Sequence, residues 1–297
     1  MSIRLFASAT LLFSALSLPA AAPARTPPPF DWQALKAVID GPAGEAWISF
    51  HPSGRVVVFD RNTKDWKDHR IWMTRLVNGR WTSPVPTPLT ADFNGTSPRF
   101  SADGKSVLFS STRPLPVRPA PAPDADKDAN IWRAAWNGKA FGKAVPVAAI
   151  NSTKSDEIEA VEVANGTIYF SSTRSLESNP KNQVDIYRAV PGRKGYAISR
   201  VEGISTDNYY ESTQYVTPDE SLMLFSRGND PQGMGHDDIY VSYRRAGTWS
   251  VPVHLKGDVN SPTYEYGPEL TPDGKTLLLT THRSGQAEII AVPMPRE

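Results

Sequence analysis

The sequence predicts an all-β protein, a single five-bladed β-propeller of four-stranded antiparallel blades. Three observations predict it. Five internal repeats each hold an alternating run, a tight Pro-Asp-Gly-like turn, a run rich in β-branched and aromatic residues, and an arginine. Each is followed by a short third strand with a shared signature. In the first four repeats a fourth segment follows, opened by an aromatic residue and often holding proline.

The repeats are EAWISFHPSGRVVVFDR (45–61), TSPRFSADGKSVLFSSTR (96–113), EAVEVANGTIYFSSTR (159–174), ESTQYVTPDESLMLFSR (211–227) and EYGPELTPDGKTLLLTTHR (265–283). Turn chemistry flanked by period-2 runs specifies a β-hairpin. The third strands read RIWMTR (70–75), NIWRAA (130–135), DIYRAV (185–190), DIYVSY (238–243) and EIIAVP (288–293). The fourth segments are WTSPVPTPL, FGKAVPVAAI, YAISRVEGI and WSVPVHL. Proline lacks the amide proton a ladder needs, so this strand belongs at an edge. Four antiparallel strands recurring every ~50–60 residues make a propeller blade.

The fifth repeat stops after its third strand. FDWQALKAVI (30–39) has an aromatic start and an apolar run, and is expected to supply the missing edge strand and close the ring. A helix over 31–39 is the competing local reading, since Gln33 to Lys36 are good helix formers. The blades are expected over about 45–89, 94–150, 155–204, 208–259 and 263–295 plus 30–39, so that residues 30–297 form one propeller domain.

Ahead of the repeats, MSIRLFASATLLFSALSLPAAAPA has one charge at Arg4, an apolar and small-residue core from Leu5 to Leu18, and Ala22-Pro23-Ala24. That pattern predicts a signal peptide over 1–24, cleaved after Ala24, with 25–29 as an extended leader. No other segment approaches the ~20 apolar residues of a transmembrane helix. The expectation is a periplasmic or secreted monomer. The chain has no cysteine, which excludes a lipid-anchored lipoprotein and a disulfide-stapled domain. Without residues 1–24 it carries 31 basic and 31 acidic side chains. Nucleic acids and anionic membranes call for a basic excess, so neither is an expected partner.

The repeats resemble the WD-like repeats of the TolB-type β-propeller family, in which the turn reads Ser/Thr-Pro-Asp-Gly-Lys and the third strand Asp-Ile-Tyr. The matching residues are Thr271 to Lys275, Ser101 to Lys105, Asp185 to Tyr187 and Asp238 to Tyr240. The resemblance covers nearly all of residues 30–297 and implies an exported propeller, often a periplasmic binding or scaffolding module. The family's namesake has six blades and a preceding α/β domain, for which this chain has no room.

In a propeller the turns between strands 1 and 2 lie on one face, so Asp103, Gly104, Asp273 and Gly274 are expected to shape structure. The other face collects the strand-1 entries and the loops between strands 2 and 3. Glu45, Glu211 and Glu265 fall there at equivalent positions, with Glu159 near the same place after a one-residue shift. Arg61, Arg113, Arg174, Arg227 and Arg283 leave strand 2 on the same face. The second repeat breaks the acidic pattern with Asn94-Gly95-Thr96, so the resulting crown of carboxylates and guanidiniums is lopsided.

Two readings of the crown stand. Arginine forks can lash neighbouring segments together, or an unpaired remainder can bind a polar ligand such as a glycan. Tyr209, Tyr210, Tyr264 and Tyr266 flank Glu211 and Glu265, and aromatic faces beside carboxylates suit carbohydrate. A hydrolase or lyase on the same face needs two carboxylates about a scissile bond, and an envelope-protein partner or a structural role in an envelope assembly is a further expectation. His236, Asp237 and His282 are the weak candidates for a divalent metal, against a loop cap braced by Asp238. No phosphate loop, zinc spacing or nucleophile elbow is present, so no cofactor is expected. The proline-rich PLPVRPAPAPDADKDAN (114–130) is expected to project from the ligand face as an arm, a lid or a passive insertion.

Overall fold

Residues 30–63, 65–116, 129–152, 154–174 and 183–295 are described by a computed structural model. The expected signal peptide and leader lie outside the described residues, as does most of the proline-rich stretch.

The chain is a five-bladed β-propeller. A helix, α1 (Trp32–Ile39), precedes the blades. Blade 1 holds β1 (Gly44–Phe50), β2 (Val56–Asn62), β3 (His69–Val77), β4 (Arg80–Trp81) and β5 (Val85–Pro86). Blade 2 holds β6 (Gly95–Phe100), β7 (Ser106–Ser111), β8 (Asn130–Ala135) and β9 (Val145–Pro146). Blade 3 holds β10 (Glu157–Glu162), β11 (Ile168–Ser172), β12 (Asp185–Gly192) and β13 (Gly195–Arg200). Blade 4 holds β14 (Tyr210–Val216), β15 (Leu222–Gly228), β16 (Asp237–Arg245), β17 (Thr248–Trp249) and β18 (Val253–His254). Blade 5 holds β19 (Glu265–Leu270), β20 (Thr276–Thr281) and β21 (Glu288–Pro293). Neighbouring strands within each blade are antiparallel. Among the described residues, no helix is long and apolar enough to cross a membrane.

The second strand of each blade is covered on both faces by adjacent blades, so it reads as a short continuous apolar run. Every residue of β7 and β11 is buried. The core is accordingly divided into wedges between blades. Val58 and Ile71 meet Phe109 and Trp132 between blades 1 and 2, and Leu224 and Ile239 meet Leu277 and Leu279 between blades 4 and 5. The outer strand is interrupted where proline enters it, as in β5 with Pro86 and β9 with Pro146, and runs six residues in β13, which has none.

Ring closure corrects the expected N-terminal strand. Residues 32–39 form a helix, and the sheet of blade 5 has three described strands, β19, β20 and β21. Asp31 caps the helix by accepting from the Ala34 amide at 3.0 Å, and Lys36 pairs with Asp40 at 2.9 Å. Leu35 and Ile39, four apart, bury one stripe against Ile48 and Phe59 of blade 1 and Leu278 and Ile289 of blade 5. Good helix formers with an i, i+4 apolar pair suit a helix lying across a seam better than an alternating edge strand. The seam is drawn together further by Glu45 N–H donating to Ala287 O at 3.2 Å and Trp47 N–H to Thr280 Oγ1 at 3.2 Å.

Every innermost strand carries a bulge at an equivalent point, where Trp47, Ser97, Glu159, Thr213 and Gly267 take positive φ between 44° and 60°. Four of the five are not glycine, so the ring holds a conformation costing about 1–3 kcal/mol at each. A bulge re-aims the side chain at its crest. Here it breaks the alternation of strand 1 at the same height in all five blades.

Candidate functional site

The bulge register sorts the predicted acids. Counted from the crest, Glu45, Gly95, Glu157, Glu211 and Glu265 occupy one position, two residues earlier. The crown position assigned to Glu159 therefore belongs to Glu157, and Glu159 is itself the crest residue. In blade 2 the place is glycine because a Cβ on Gly95 would meet Thr90 Cγ2 at 2.5 Å.

The arginines close on these acids and on the chain entering their own blade. Arg61 donates to Glu45 at 3.1 Å and Ile39 O at 2.6 Å, and Arg227 to Glu211 at 3.1 Å and Ile204 O at 3.1 Å. Arg174 donates to Glu157 at 3.0 Å and Ile150 O at 2.6 Å. Arg283 reaches Val259 O at 2.8 Å with its Nε 3.3 Å from Glu265. Arg113, which pairs with no carboxylate among the described residues, donates to Leu89 O at 2.9 Å and leaves its Nε without a hydrogen-bond partner there. Four guanidiniums also lie over Trp72, Trp132, Tyr187 and Tyr240 of the third strands, 4.5 to 5.4 Å from the ring centres. Burial pushes Glu45 up to about 7 and Glu211 up to about 8, against the opposing pull of Arg61 and Arg227. The geometry makes the crown a set of internal clasps, each tying a blade to the segment that enters it.

A different set of side chains occupies the mouth of the channel at this end. Trp66 stacks on His282 with ring centres 5.4 Å apart, Trp47 lies against Tyr266 at 5.0 Å and edge-on to Trp66 at 6.5 Å, and His236 stacks on Tyr264 at 4.6 Å. The Tyr266 hydroxyl and His282 Nε2 are 3.1 Å apart. Trp66 and Tyr264 are 37% and 40% exposed. The wall spans blades 1, 4 and 5. Of the predicted tyrosines, Tyr264 and Tyr266 belong to it, Tyr210 donates to Asp237, and Tyr209 lies under Arg227.

Three carboxyls stand behind the wall. Asp60, fully buried, faces His69 Nδ1 at 2.9 Å and accepts from Thr96 at 2.8 Å, leaving Oδ1 without a hydrogen-bond partner. Glu159 accepts from the Thr213 amide at 2.7 Å. Asp237 accepts from Tyr210, and its backbone pairs with that of Tyr264 in an isolated parallel bridge. Burial, and then the charges of Asp60, Asp237 and Glu159, push the Tyr266 phenol up. Burial first, and for Asp237 the neighbouring Glu159, Asp238 and Glu265, pushes Glu159 and Asp237 each up to about 7. Burial also raises Asp60. It lowers His282, whereas at His69 burial is outweighed by Asp60 together with the Trp66 carbonyl and Asp68, and the imidazole is raised.

The metal candidates do not converge. Among the described residues no group of three His, Cys, Asp or Glu is placed to hold an ion. Asp238 accepts from the Met234 and Gly235 amides at 2.5 and 3.3 Å, the expected loop cap. On the far face Asp103 and Asp273 accept from the Lys105 and Lys275 amides at 2.9 and 3.2 Å, shaping the turns as expected.

A cavity of 370 Å³ opens at this far mouth between Pro52, Ala102, Pro218 and Pro272. Its charges are already engaged: Arg99 with Glu269, and Glu162 with Arg133 at 2.7 Å. The near mouth holds a smaller cavity of 270 Å³ lined by Asn62, Trp66, His282 and Gln286. Chemistry outweighs size here, because among the described residues the near mouth combines exposed rings with acids that form no ion pair with an arginine or lysine.

Sequence reasoning missed Trp47, Asp60, Trp66, His69 and Glu157. Asp60 had a readable signal. Its equivalents across the ring are Ser110, Ser171, Ser226 and Thr280, and it alone is a carboxylate.

No protein-family model and no curated protein matches the chain. Solved structures do. A thermostable family-43 glycoside hydrolase aligns with a TM-score of 0.56 at 11% identity, covering 86% of this chain and 91% of that one. A protein of unknown function from Dyadobacter fermentans aligns with a TM-score of 0.50 at 14% identity, covering 86% and 80%. At these identities the likeness shows the propeller fold alone.

Proposed function

We propose that this is an exported β-propeller of the TolB type that binds a glycan, or a small molecule of similar polarity, at the near mouth of its channel. The observation that carries the reading is the aromatic wall of Trp47, Trp66, Tyr264, Tyr266 and His282, exposed at Trp66 and Tyr264 beside Asp237. Rings offer the apolar faces of a sugar a flat surface, and adjacent carboxyls take its hydroxyls. The crown contributes by holding the five strand entries in place.

The test is a glycan array followed by tryptophan-fluorescence titration of the purified chain. Trp66→Ala is expected to weaken binding by about tenfold or more. Equal affinity in wild type and variant, or no binding across the array, would overturn the reading. A second reading, hydrolysis of the bound glycan, is favoured by Glu159 and Asp237, both held near 7, which allows one to be protonated while the other is ionised. Release of new reducing ends, lost in both Glu159→Gln and Asp237→Asn, would favour it over simple binding.

A further inference from the structure

Resting on that reading, we infer that the ligand at the near mouth carries a positively charged amine, as an amino sugar does. The acids of this end divide into two groups. Glu45, Glu157, Glu211 and Glu265 are each matched by an arginine. Asp60, Glu159 and Asp237 are not: among the described residues neither Glu159 nor Asp237 forms an ion pair, Arg99 acting on Glu159 only at longer range while it pairs with Glu269, and Asp60 meets no cation but His69, which is charged only when protonated. A neutral ligand would leave this imbalance of charge in place. A cation relieves it.

The rings point to the same ligand. Trp66 lies edge-on to Trp47, Tyr264 and Tyr266 lean against His282, and a ring face beside carboxylates is the arrangement that attracts an ammonium. Two buried polar groups here also lack partners. Asp60 is 0% exposed with Oδ1 unbonded, and Asn62, 3% exposed with Nδ2 unbonded, lines the 270 Å³ cavity together with Trp66 and His282. Buried polar atoms are ordinarily satisfied. The hydroxyls of a sugar in that cavity supply acceptors for Asn62, and its ammonium answers the charge of Asp60, two residues away on the same strand.

The decisive experiment is calorimetric titration at neutral pH with chitosan oligosaccharides, their fully N-acetylated counterparts of matched length, and choline as an ammonium without a sugar. The free-amine oligomer is expected to bind about tenfold or more tighter than the acetylated one. Asp237→Asn, which keeps the side-chain shape and a hydrogen bond to Tyr210, is expected to erase most of that preference, read as the ratio of the two oligomers' affinities for the same variant. Asp60→Asn provides the same check on a second acid. Equal affinity for free and acetylated oligomers overturns the charge inference and leaves the glycan reading standing. Binding of choline without any amino sugar keeps the ammonium site and overturns the glycan reading, whereas binding of none of the three overturns both.

Discussion

Glu211 is fully buried beneath Arg227, which is 8% exposed, and its carboxylate also takes the Thr206 amide at 3.2 Å. Removing one member of such a pair strands the other, so Glu211→Ala is expected to cost about 3–5 kcal/mol. A lowered urea midpoint at unchanged m would record it; a loss below about 1 kcal/mol would contradict the clasp assignment. Spacing alone found Glu45, Glu211 and Glu265. It slipped in blade 3 because strand 1 ends there on Glu162, where Phe50, Val216 and Leu270 stand in blades 1, 4 and 5. That polarity is satisfied across the blade boundary by Arg133, at 2.7 and 2.9 Å. Asp60 was legible as the one departure from a hydroxyl column. Trp47 and Trp66 were not, because an aromatic residue in a strand or loop has no sequence mark that distinguishes a binding wall from a core.

At the scale of elements, α1 does the work expected of an edge strand by different means. Ile39 ends it, and the Ile39 carbonyl receives Arg61 as Leu89, Ile150, Ile204 and Val259 receive the other four arginines. The segment therefore occupies the same socket in the ring, with side-chain burial in place of a backbone ladder. Ile39→Ala, which empties a fully buried position, is expected to cost about 2–5 kcal/mol. Asp31→Ala, which removes only the cap, is expected to cost about 1 kcal/mol. Chemical denaturation of both variants checks the order. A strand in place of the helix would leave Asp31→Ala without effect, since Asp31 would then cap nothing.

For the whole molecule, the acids held near 7 set the pH dependence of stability. Glu159 and Asp237 titrate at about 7 in the folded chain and at about 4 when unfolded. The folded state thus binds more protons between those values, and its advantage is lost as pH rises through about 7. His69, also raised, acts in the same direction, while His51 and His282, lowered by burial, act against it. Tm is expected to fall by a few degrees between pH 5 and 8, and Glu159→Gln and Asp237→Asn to flatten the slope. A Tm that rises across this range would contradict the placement of both acids.

The sequence by itself determined the five blades, the turn chemistry of the far face and the alignment of most of the crown. All of these follow from local periodicity and from the φ, ψ demands of short segments. Only the tertiary structure decided which acids are spent on arginines and which are left over. It also decided that the ring closes through a helix, and that rings from blades 1, 4 and 5 meet in one wall. Those outcomes depend on the bulge in every inner strand and on contacts between residues as far apart as Trp66 and His282. Burial and pairing are properties of neighbours in space, and a repeat read along the chain does not contain them.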